Sequence, residues 1–168
     1  MFVFSSKNIK MSLKDRNNAL SNIRKYLIKN EIAIDICREF GFDKDILYGI
    51  SISFDDEIDV AAKTIDSEML LNTSLLNEKF EIMMRYVIHE LVHVFQHIER
   101  EGKSDPYDGM DYLERPDEIQ AFQFQVEFQE DFSGEEVATE YVDDLIEYHE
   151  LDDKEKADKK EELFERVE

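Results

Sequence analysis

His89, Glu90, Leu91, Val92 and His93 set two imidazoles four residues apart, with a carboxylate next to the first. On an α-helix four residues make a little over one turn, so both rings leave one face about 6 Å apart along the axis, close enough for one tetrahedral metal ion to bridge them. Glu90 falls at the rim of that face, where its carboxylate reaches a water on the metal without ligating it. Such a set is suited to zinc-dependent hydrolysis.

The five letters alone also occur in helical proteins as two solvated or core-edge histidines with an incidental glutamate. The context here argues for chemistry. Val87, Ile88, Val94 and Phe95 flank the set, and no Gly or Pro interrupts residues 80 to 98, so the pattern predicts a helix central to the fold. Ionisable groups in such a helix are costly unless paired or metal-bound. Three of the four histidines of the chain lie in this segment.

A hydrolytic zinc site takes three protein ligands and leaves the fourth position open. His97 continues the spacing, but on a straight helix it lies about 12 Å along the axis from His89, too far for both to hold one ion. No Gly stands between His93 and Gly102 to turn the chain back toward a third histidine. Downstream, Pro116 suits the first turn of a helix, and Asp117 and Glu118 suit its N-terminal dipole. Glu118 is followed one turn later by the small Ala121, which permits close approach of a second helix. By itself Glu118 reads as a dipole partner; beside an HExxH helix lacking a third histidine it becomes the favoured third ligand. Glu114 is the alternative, with Asp117 behind it.

With these residues in view, the chain resembles the gluzincin-type zincins, in particular minimal ones such as ImmA/IrrE-like and SprT-like bacterial and phage metallopeptidase domains. The likeness rests on His89-Glu90-Leu91-Val92-His93, on Glu118 to Phe122, and on the stretch from Ala61 to Asn72, and it covers roughly residues 45 to 130. It implies an α+β, zincin-like fold: a small mixed sheet, an HExxH helix and a following Glu-bearing helix, here with an N-terminal helix. It also implies His89, His93 and Glu118 as ligands of Zn²⁺, Glu90 as catalytic base, and hydrolysis of peptide bonds in a protein or peptide substrate. An oxyanion donor is usual in such sites; Tyr112, Tyr107 and His97 are the candidates, Tyr112 being nearest in sequence to the Glu118 helix.

The elements that must position these groups follow from periodicity. Apolar residues from Leu13 to Ile36 at helical spacing predict one helix over about 12 to 40, stopped by Gly41. Near-alternation from Leu47 to Phe54 predicts a strand, and two shorter strands fall around Val60 to Ile65 and Glu68 to Asn72. The metal-binding helix is expected from about Asn77, followed by a loop from Gly102 to Gly109 that is expected to be a mobile cover. Phe122, Phe124, Val126 and Phe128 alternate as a strand would, yet the helix start at Pro116 and the resemblance point to a helix buried on more than one side.

The chain has 168 residues and one cysteine, Cys37, which excludes an internal disulfide framework and reads as a buried apolar filler. A single domain over 1–150 with an acidic helical tail over 151–168 is expected, the end of it solvated. The Met1 to Ser5 run is too short for a signal segment and nothing approaches a membrane span, so a cytoplasmic location is expected. A net charge of −21 opposes binding to a nucleic-acid backbone. The same charge raises an alternative, an acidic DNA-mimic inhibitor; a noncatalytic zinc-binding domain is a further one, against which the intact Glu90 weighs.

Overall fold

A computed structural model describes residues 13 to 167; the expected helix start at Ser12 and the Met1 to Ser5 segment lie outside the described residues. The architecture is α+β, with six α-helices and one small mixed sheet among the described residues. The described residues up to Lys103 form one compact unit, and those from Ser104 form another. No helix is long and apolar enough to cross a membrane.

In the first unit the expected long helix is two, α1 (Leu13–Leu27) and α2 (Glu31–Glu39). Asn30 is the reason: its backbone is extended and its side-chain oxygen accepts from the Ala33 amide at 3.0 Å, so it starts α2 as an N-cap instead of continuing α1. The apolar stripe runs across the break, which is why periodicity alone merges the two. The stop at Gly41 stands as expected. With φ +75° it lets the Phe42 amide bond back to the Cys37 carbonyl at 2.9 Å and its own amide to Arg38 at 3.0 Å, a Schellman ending.

The strand expected from Leu47 is shorter. Leu47 belongs to a 3-10 turn (Lys44–Tyr48), in which the Asp45 amide donates to the Asp43 side chain, and β1 covers only Ile52–Asp55. β2 (Ala62–Ile65) and β3 (Glu68–Asn72) form an antiparallel hairpin through Asp66 and Ser67, both at positive φ, the geometry that two-residue hairpin turns favour. β3 also pairs with β1 in parallel, giving the order β1-β3-β2, so β2 is an edge. Asn72 then turns the chain, donating to the Ile58 carbonyl and accepting from Ser74. A 3-10 turn (Thr73–Asn77) stands where the metal-binding helix was expected to begin, and α3 runs over Phe80–Arg100.

α3 packs against β2, β3 and α2. Phe95 is fully buried, with Phe40 and Phe42 stacked on it at centroid distances of 5.6 and 5.2 Å, and Tyr26 meets Phe80 edge-on at 5.2 Å. Such aromatic pairs fix the helix in rotation as well as position.

The second unit is helical: a 3-10 turn (Tyr112–Glu114), α4 (Pro116–Ser133), α5 (Glu135–Tyr148) and α6 (Asp153–Leu163). α4 is a helix in spite of its alternating pattern. Phe122 and Val126 join Leu113, Ala138, Val142, Ile146 and Leu163 in one apolar cluster, while Phe124 and Phe128 are buried as well, so more than one face of α4 is covered. The end of the chain is not a solvated tail. Leu163 is fully buried, Phe164 and Val167 pack on the same cluster, and the buried Lys159 donates to the Leu113 carbonyl at 2.7 Å and to Glu162 at 2.6 Å. In the loop from Gly102 to Gly109, Asp105 pairs with Arg115 at 2.6 Å, and Arg115 also pairs with Asp117 at 3.0 Å.

Candidate metal centre

The centre of α3 carries the chemistry. His89, Glu90 and His93 are each less than a tenth exposed, on a helix whose residues from Val87 to Gln96 are all buried. The two imidazoles turn their Nε2 atoms toward each other at 3.2 Å, their rings inclined at 68°. Two nitrogen donors about 2.0 to 2.1 Å from one tetrahedral zinc are about 3.3 Å apart, so the observed separation suits a shared ion. Neutral imidazole nitrogens are also the donor type that zinc takes most readily beside carboxylate oxygen.

His93 and Glu90 are held by side chains that sequence reading missed. Gln96 Oε1 lies 2.7 Å from Nδ1 of His93, both groups buried. Gln96 stands three residues after His93, a spacing that puts both on one helix face, and that was the available signal. The Thr64 hydroxyl donates to Glu90 Oε2 at 2.7 Å, with a longer approach to the Glu90 carbonyl oxygen at 3.3 Å. Thr64 lies on the edge strand β2, and its partnership with Glu90 depends on how the hairpin registers against α3, which no local pattern encodes.

The other expected residues have definite places. Glu118 is in the first turn of α4, half-buried. His89 and His93 each offer one ring nitrogen to the site on α3. Glu114, the alternative ligand, belongs to the 3-10 turn before α4 and is mostly exposed, 3.5 Å from Lys159 Nζ. Asp117 is engaged with Arg115. Tyr112 is 42% exposed, its ring stacked on His149 at 5.5 Å and edge-on to Phe122 at 5.9 Å. The Tyr107 amide donates to Asp105. His97 is half-buried, and its pKa is lowered, first by that burial and then by the neighbouring His93.

Compared with known proteins, the chain matches no family model, no curated protein and no solved structure.

Proposed function

We propose that this chain is a zinc-dependent metalloendopeptidase of minimal, zincin-like type, with His89, His93 and Glu118 as the metal ligands. The observation that carries the reading is the pair of buried imidazoles with Nε2 atoms 3.2 Å apart, on the turn of α3 that also bears Glu90. Glu118, half-buried in the first turn of α4, is the proposed third ligand, a set that would leave one coordination position for chemistry.

Zinc held there supplies Lewis-acid polarisation of a carbonyl and a more acidic water. Glu90 does the proton work: one carboxylate oxygen takes a proton from the attacking water and passes it to the departing amine nitrogen. Thr64 donates to Oε2, so in this reading Oε1 is the oxygen that transfers the proton. Among the described residues β2 pairs only with β3, so its outer edge offers backbone groups to an extended peptide. Tyr112 is the proposed donor to the developing oxyanion.

The test is cleavage of unfolded proteins by the purified chain, with and without a chelator. Chelator-sensitive cleavage that disappears in Glu90→Gln supports the reading. Zinc-loaded protein that cleaves nothing moves the noncatalytic zinc-binding alternative ahead.

A further inference from the structure

Deepening the metal-site reading and resting on it, we infer that Gln96 is the positioning residue of His93, fixing its tautomer so that Nε2 is kept as a lone-pair donor. The Nδ1 to Oε1 distance of 2.7 Å is a short hydrogen bond between two buried side chains. An amide oxygen only accepts, so this contact puts the proton of a neutral His93 ring on Nδ1. Nε2, the atom turned toward His89 at 3.2 Å, then carries the lone pair that a metal requires. A ring free to exchange tautomers would hold its proton on Nε2 part of the time, and that population must be displaced before a metal binds.

A glutamine suits this task in a buried place because it accepts strongly without adding a charge. The helix supplies the rest: three residues of α-helix bring position 96 back over the turn of position 93. Residues that orient a ligating imidazole in this way typically contribute about 10 to 100-fold in metal affinity.

The experiment uses the full-length, metal-free protein labelled with ¹⁵N-histidine. Long-range ¹H–¹⁵N spectra should show His93 as the Nδ1–H tautomer. Gln96→Leu should remove that preference and raise the zinc dissociation constant, measured by chelator competition, about 10 to 100-fold, while Gln96→Glu, which keeps an acceptor in place, should retain both. His93 found as the Nε2–H tautomer in the wild type would overturn the inference, and that measurement needs no variant to fold. So would Gln96→Leu protein of unchanged tautomer and unchanged zinc affinity. Wild-type protein that binds no zinc yet shows a Gln96-dependent Nδ1–H tautomer would overturn the metal-site reading and uphold the role of Gln96 toward His93.

Discussion

At the scale of single residues, the chemistry is concentrated on one turn of α3 and the two side chains that brace it. Glu90→Gln keeps the volume of the side chain and is not expected to change zinc content, since Glu90 is not a proposed ligand; cleavage should fall about 10² to 10⁴-fold from loss of the general base. Thr64 separates hydroxyl from shape. Thr64→Ser retains the donor to Glu90 and should keep most of the activity, whereas Thr64→Val, nearly isosteric, should lower kcat with zinc content unchanged. Equal activity in both variants would remove Thr64 from the proton pathway. For the third ligand, Glu118→Ala should lose zinc in dialysis against a mild chelator while Glu114→Ala keeps it, because Glu114 is exposed and engaged with Lys159; the reverse order would move the ligand. Cys37 is buried with its thiol pushed up to about 11 by that burial, so it should resist alkylation at pH 8 in native protein and react fully in denaturant. The opposed imidazoles and Glu90 were legible in the sequence because helical spacing is local. Gln96 had such a spacing too, but a glutamine after an apolar run carries no chemical alarm, and Thr64 was invisible because its partner lies 26 residues away.

At the scale of elements, local signals decided where segments start and stop, and periodicity decided where they were merged. The helix over 12 to 40 was read as one because its apolar stripe persists; the Asn30 cap divides it. Asn30→Ala should therefore destabilise the protein by about 1 kcal/mol in urea unfolding, the usual worth of an N-cap, while Asn30→Asp stays near wild type. The strand expected at Leu47 failed for the same kind of reason, since the Asp43 cap winds that segment into a 3-10 turn before β1. β3 was read with its observed bounds, and its turn to α3 hinges on Asn72, whose two side-chain bonds have no periodic signature. In α4 the alternating phenylalanines describe burial on several faces, and the helix start at Pro116 outweighs them.

At the scale of the whole molecule, the strong negative charge hid a packed end. The segment after Tyr148 reads as solvated because its residues are mostly acidic or lysine, yet Leu163 sits in the core of the second unit and Lys159 is buried with three oxygen-bearing neighbours. Truncation after Tyr148 is expected to destabilise the second unit, and Leu163→Ala to cost about 2 to 5 kcal/mol, as large-to-small core changes do. Urea unfolding of both proteins checks this; a truncated chain as stable as the whole would mean that α6 contributes no net packing. The account as a whole depends on α3 holding a metal, and elemental analysis of the purified chain addresses that most directly. We expect one zinc per wild-type chain, near-complete loss in His89→Ala and in His93→Ala, and full retention in His97→Ala. Wild-type protein without zinc after purification and reconstitution, or zinc lost equally from all three variants, would contradict it.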